Sequence, residues 1–255
     1  MGLVAGEEVI ASTEVPRAGV DVGRHFYVVI AALFVVLTFA GFIPSYWAPM
    51  GDGSLEMHAA IHAHAALFFL WTLYVLTQAV LVAQGRTLAH REWGIFGVAL
   101  ASAMVFSGVV ASIVQLSLLM GTPRERLVIG TAILGFTSMI MFAIFIAGAV
   151  ANVRRPEWHK RLMVLATFSI MQAVVVRYIL LIPGVSQPHR AFAAAIIIDL
   201  LLLAVIFADA RIKGRVHPVY LAGGALIVFV QVARSPVTHT PLWRDACLWL
   251  ASLAG

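Results

Sequence analysis

Uninterrupted apolar runs of about 20 residues recur along the whole chain, and they constrain its fold more than any other feature. A run of this length can cross the hydrocarbon core of a bilayer as a helix. The composition agrees, because 62% of the residues are hydrophobic and 11% are charged, against about 25% charged residues in soluble domains. The sequence therefore predicts an all-α, polytopic bundle of transmembrane helices embedded in the lipid bilayer.

Seven spans are predicted, and they form a membrane domain over residues 25–235. The spans cover residues 26–43, 60–83, 93–118, 127–150, 162–182, 191–208 and 218–233. A cytoplasmic tail at 1–24 precedes them, and an interfacial segment at 236–255 follows. That segment is predicted to form an amphipathic helix, with its apolar face made by Leu242, Trp243, Ala246, Leu250 and Leu253.

The basic residues predict the orientation of the bundle. With the N-terminus inside, the cytoplasmic loops and flanks carry eleven Lys and Arg residues, and the outer ones carry five. Because cytoplasmic loops are enriched in Lys and Arg, this asymmetry favours a cytoplasmic N-terminus and an external C-terminus. The net charge of +5 reflects the same asymmetry and does not indicate a nucleic-acid partner. The single cysteine, Cys247, excludes an intrachain disulfide and the Cys-rich metal motifs.

Three ionisable residues are predicted to share one layer in the outer half of the membrane: His64, Arg177 and Asp199. Charges inside a span are costly, so each one needs a partner or a function. One interpretation is an intramembrane polar site, and the other is a buried Arg177–Asp199 ion pair with a structural role only. Four further residues are assigned to the site because they lie on the same helix face or at a similar depth: Trp71, Gln78, Gln172 and Tyr178.

The stretch "HAAIHAHAALFFLW" at 58–71 places three histidines near the start of a span. His58 and His62 are four residues apart and share a helix face, whereas His62 and His64 point about 200° apart. The first two could bind a metal with a third ligand from an outer loop, His189 or His239. Alternatively, they are interfacial side chains that reach water.

A second set of histidines lies at the inner start of every odd-numbered span: His25, His90, His159 and His217. Four imidazoles from four helices could meet and bind a haem or a transition metal. With their basic neighbours they could instead hold anionic lipid head groups, or they could be ordinary residues of helix ends.

The motifs "HAALFFLW", "HREWG", "HKRLMVLAT" and "GRVHP" resemble those of a broad set of uncharacterised bacterial polytopic membrane proteins. The resemblance covers roughly residues 58–235 and implies a multi-pass protein of the bacterial inner membrane. A histidine, a tryptophan one heptad later and "HRxxG" at the next helix are also loosely similar to transmembrane b-type cytochromes and ferric reductases. That resemblance implies a b-type haem, held by His90 with His159 or His217 on the inner side, and by His64 on the outer side.

Three functions remain open from the sequence. The first is a membrane redox protein that uses b-type haem or a transition metal. The second is a transporter or small-molecule binding bundle built on the His64–Arg177–Asp199 layer, with no cofactor. The third is an accessory or assembly subunit of a larger membrane complex.

Overall fold

The structure, a computed structural model, describes residues 18–185 and 187–254. Most of the predicted tail at 1–24 lies outside these residues. The long helices are α1 (Ala18–Gly41), α3 (Ala59–Ala83), α4 (Thr87–Leu119), α5 (Glu125–Ala151), α6 (Pro156–Leu180), α7 (Gln187–Lys213) and α8 (Pro218–Thr238), and the shorter ones are α2 (Ala48–Gly51) and α9 (Pro241–Ala251). Each predicted span coincides with a long helix, although α1, α4 and α6 begin six to eight residues earlier than predicted and α7 and α8 end five residues later.

The first span is broken just after Gly41. A single turn of π-helix, Ile43–Trp47, and α2 follow α1 at an angle of 42°. Pro44 lies at the break and has no N–H to donate to the preceding turn, which explains the interruption. Six helices of the described chain are long and apolar enough to cross a membrane, and the bent pair makes a seventh. This confirms the predicted polytopic bundle.

Five helices, α1, α3, α4, α5 and α6, contact one another in sequence and close into a ring. Side chains from these helices fill the ring, among them Trp71, Met104, Phe142 and Leu165, which are almost completely buried. Helices α7 and α8 pack outside α6, where α7 also reaches α1 and α8 also reaches α5. The interior of the ring therefore lies mainly between α3, α4, α5 and α6.

A glycine allows α3 and α4 to approach closely. A Cβ atom at Gly97 would collide with the ring and hydroxyl of Tyr74 on α3. The same hydroxyl donates a hydrogen bond of 3.1 Å to the carbonyl of Trp93, one turn earlier in α4. Small residues at helix contacts are the usual solution in membranes, where close packing contributes much of the association energy.

The C-terminal segment differs in detail from the prediction. Helix α8 continues to Thr238, so Arg234, which the sequence assigned to an outer loop, lies inside the helix and is buried. Helix α9 packs on α4 and α5 through Cys247, Trp243 and Leu250. Leu242 and Leu253 are exposed, so the predicted apolar face is only partly the one that contacts the bundle.

Candidate functional sites

The three histidines at 58–64 have three different environments. His58 caps α3, because its Nδ1 accepts a hydrogen bond from the Ala60 amide at 3.1 Å. The Nδ1 of His62 lies 3.0 Å from the Tyr46 hydroxyl. No group of three or more His, Cys, Asp or Glu side chains in the described residues could hold a metal ion. The His58–His62 pair therefore lacks, among these residues, the further ligand that the metal hypothesis needs.

His64 is the histidine of this stretch that points into the bundle. Its Nδ1 lies 3.4 Å from the hydroxyl of Ser107 on α4, and its ring packs against Phe68. Ser107 donates its own hydrogen to the Met104 carbonyl at 3.0 Å. Because a hydroxyl has one hydrogen, Nδ1 of His64 must be the donor in the contact with Ser107. In the neutral ring, Nε2 then carries the free lone pair.

Arg177 lies on the same side of the bundle as α3, because Phe42, which contacts Arg177, also packs on Phe69, five residues after His64. The guanidinium of Arg177 stacks over the ring of Phe42, at 3.8 Å from the ring centre, and its Nη1 donates to the Ala173 carbonyl. Its Nε is buried and has no hydrogen-bond partner among the described residues. The hydroxyl of the next residue, Tyr178, donates to the Leu37 carbonyl at 2.7 Å.

The predicted pairing of Arg177 with Asp199 is wrong. In the described part of the chain, the ion pairs within 4.0 Å involve other residues. The Oδ1 of Asp199 is buried and has no hydrogen-bond partner among the described residues. The guanidinium of Arg177 contacts Phe42 instead, so the shared depth does not bring the two side chains together.

Gln172 also departs from the predicted layer. Its Oε1 accepts a hydrogen bond of 2.6 Å from Arg234, and its Nε2 donates to the Ala191 carbonyl at 3.1 Å. Arg234 donates further to Thr137, at 2.6 Å, and to Ser138, at 3.4 Å. Three neutral oxygens thus surround the Arg234 guanidinium between α5, α6 and α8. The sequence did not indicate this cluster, because the last predicted span ends at residue 233, before Arg234.

Two of the four histidines predicted at the inner helix starts lie side by side. The ring centres of His90 on α4 and His159 on α6 are 6.2 Å apart, with the ring planes at 82°. His217 packs against Trp158 and caps α8 through its Nδ1. His25 is exposed and lies near the start of α1. The structure therefore joins two of the four predicted ligands.

The two paired rings are held differently. The Nδ1 of His159 lies 2.9 Å from the Ala149 carbonyl at the end of α5. Since a carbonyl only accepts, Nδ1 must carry the proton, and Nε2 of the neutral ring is free to bind a metal. The Nδ1 of His90 is buried without a partner among the described residues. Buried polar atoms of this kind are rare and need an explanation, such as an absent water or ligand.

Gln78 and Trp71 line the interior on α3. Gln78 lies five residues before the end of α3 and is 8% exposed, yet neither of its amide atoms has a partner among the described residues. Trp71 is deeper, where its indole N–H donates to Thr167 at 3.4 Å and its ring packs on Phe142. The unpartnered polar groups of His90 and Gln78 therefore both lie towards the inner ends of the ring helices.

No family model, curated protein or solved structure matches the chain. Its functional residues are therefore assigned from its own geometry.

An ion network at the inner ends of the helices was not predicted. Arg161 on α6 donates three hydrogen bonds to Asp209 on α7, from Nε at 2.9 Å and from Nη2 at 2.7 and 3.0 Å, and its Nη1 donates to the Glu157 carboxylate at 2.6 Å. Tyr27 on α1 donates to the same aspartate at 2.9 Å. The sequence counted Arg161 as a flanking charge, but its i, i+4 spacing from Glu157 indicated a shared helix face. The network ties three helices together and has a structural role.

Proposed function

We propose that the protein is a multi-pass membrane redox protein that holds a b-type haem between His90 and His159. The observation that carries this proposal is the 6.2 Å separation of the two ring centres. The two histidines are 69 residues apart in sequence and belong to helices that have α5 between them in the ring. Their proximity is therefore a product of the tertiary fold.

The spacing fits bis-histidine ligation. A metal ion held by both rings would need about 2.0 Å to each nitrogen, which lies roughly 1.1 Å from its ring centre, so the two centres would have to lie within about 6 Å of each other. The nearly perpendicular ring planes, at 82°, are compatible with this arrangement. The Ala149 carbonyl would orient His159 as outer partners usually orient metal-bound imidazoles. A ligand at His90 would also account for its unpartnered, buried ring nitrogen.

A haem with two histidine ligands accepts and donates single electrons, and the surrounding protein adjusts its potential. The chain's own contribution would be to hold two neutral imidazoles near the starts of α4 and α6. Gln78 could donate its unpartnered amide to an acidic group that enters the same end of the ring.

The test is a pyridine haemochrome assay and an absorption spectrum of protein purified from cells supplied with a haem precursor. We expect about one haem per chain in the wild type and loss of haem from His90→Ala and from His159→Ala. His58→Ala is the control, because His58 is an exposed cap outside the ring, and it should keep the haem. A wild-type protein without haem, or a double His90/His159 variant that retains it, would overturn the proposal.

The proposed location is the bacterial inner membrane, with the N-terminus in the cytoplasm. The support is the excess of basic residues at the ends of the bundle that carry residues 84–86, 152–155 and 214–217. Reporter fusions at Gly85 and Gly214 should report a cytoplasmic position, and a fusion at Gly184 an external one. An external result at Gly85 would refute this orientation.

A further inference from the structure

We propose that Arg177, together with His64, binds a carboxylate or phosphate group in the outer half of the bundle. The site is independent of the haem proposal, because His90 and His159 lie near the starts of α4 and α6, whereas Arg177 lies near the end of α6. The anionic group could belong to a small molecule or to a lipid head group. Both sources present the same chemistry to a guanidinium, and the experiment below separates them.

Arg177 differs from several other basic residues of the bundle in having no carboxylate beside it. Arg161, Lys160, Lys213 and Arg244 each have a carboxylate within 4.0 Å. Arg177 has none among the described residues, and its contacts are a carbonyl and the face of Phe42. A charge inside a span is costly unless it is paired, and charges that persist there usually mark a ligand or ion site. An anion would supply the missing partner and could satisfy the buried Nε.

The side chain of Arg177 is directed away from the nearby membrane interface. Arg177 lies three residues before the end of α6, where a long basic side chain would normally extend to the nearby interface. Instead, its Nη1 donates to Ala173, one turn further from that interface. The side chain is only partly accessible, and Phe42 covers one face of the guanidinium. Arg177 is thus held towards the bundle rather than released into the head-group region.

The chain that surrounds Arg177 has features that are common at membrane binding sites. Phe42 lies at the break between α1 and the π-helical turn, so the first span is interrupted beside Arg177. Interrupted helices in membranes often line binding sites, and single π-helical turns are frequent at functional sites. His64 adds a ring nitrogen, Nε2, that is free of the Ser107 contact. It could accept a proton from an acidic ligand or, when protonated, add a second positive charge.

Arg234 provides a matched comparison. It is also a buried guanidinium without a carboxylate within 4.0 Å in the described chain, but Thr137, Gln172 and Ser138 all accept hydrogen bonds from it. Neutral oxygens therefore occupy the donors of Arg234, whereas the Nε of Arg177 has no acceptor. The binding of an anion should therefore depend on Arg177 and not on Arg234.

The experiment measures thermal unfolding of the full chain in nanodiscs of zwitterionic lipid. Inorganic phosphate and acetate are added separately, each against sodium chloride of equal ionic strength. In a second arm, phosphatidylglycerol replaces part of the lipid. A rise in Tm with either salt identifies a soluble anion, and a rise only with phosphatidylglycerol identifies a lipid head group. Arg177→Gln should weaken the apparent affinity roughly tenfold or more, whereas Arg234→Gln should preserve it.

Stability without a ligand provides the second readout. Arg177→Met removes an unpaired charge, so in zwitterionic nanodiscs it should be as stable as the wild type or more stable. No Tm response of the wild type to any of the three anions would overturn the proposal. A response that survives in Arg177→Gln would also overturn it, as would an Arg177→Met variant as unstable as Arg161→Met, because Arg177 would then be structural.

Discussion

The ion pair between Arg161 and Asp209 should be the strongest polar contact between α6 and α7. The two side chains are 1% and 2% exposed, and their closest atoms, Nη2 and Oδ2, are 2.7 Å apart. Removing one member of such a buried pair strands the other charge, at a typical cost of about 3–5 kcal/mol. The structure predicts an asymmetry between the two single variants, since the stranded partner differs.

Arg161→Met leaves Asp209 with Tyr27 as its remaining hydrogen-bond donor, so the cost should be near the upper limit, about 5 kcal/mol. Asp209→Leu leaves Arg161 with Glu157 at 2.6 Å, so the cost should be nearer about 3 kcal/mol. The double variant strands neither charge and should cost less than either single variant. The coupling energy, which is the sum of the two single costs minus the cost of the double variant, should therefore exceed about 5 kcal/mol.

The assay is equilibrium unfolding in mixed detergent micelles, as SDS is increased, followed by tryptophan fluorescence for all four proteins. Lys160→Met is the control, since it removes a more exposed partner of Glu157 and should cost about 1 kcal/mol or less. Additive effects of Arg161→Met and Asp209→Leu would refute the reasoning, because they would mean that the two side chains do not stabilise each other.

Three further predictions concern packing, pH and thiol reactivity. Gly97→Ala should destabilise by about 1–3 kcal/mol through its clash with Tyr74, whereas Gly94→Ala, with no atom within 4 Å of its new Cβ, should be neutral or stabilising in the same unfolding assay. Burial lowers the pKa of His217, the N-cap of α8, below its ordinary value of 6.5. The contribution of this cap to the free energy of unfolding should therefore be lost as pH falls below about 6.5 towards the folded-state pKa. A His217→Asn variant that shows the same pH dependence would contradict this. Burial raises the pKa of Cys247 to about 11, so the folded protein should resist maleimide labelling at neutral pH until it unfolds, and rapid labelling of the folded state would refute that placement.

The sequence by itself determined the class of fold and the approximate position of each long helix. Apolar runs longer than the bilayer core must form helices, because lipid offers no partners to unpaired backbone groups. The boundaries near charged residues were less certain, since the length of an apolar run does not say whether Arg234 lies inside or outside the last span. The break at Phe42 was also not predicted, although Pro44 was a signal for it.

Only the tertiary structure decided which polar side chains meet. The depth of a residue follows from its position along a helix. It could not decide the rotation of each helix about its axis, so it wrongly paired Arg177 with Asp199 and did not find Arg161 with Asp209. Helix rotation depends on the packing of all neighbouring side chains at once, such as Tyr74 against Gly97. The sequence therefore left both His159 and His217 as candidates to pair with His90, and only the folded bundle shows His159 with its ring centre 6.2 Å from that of His90.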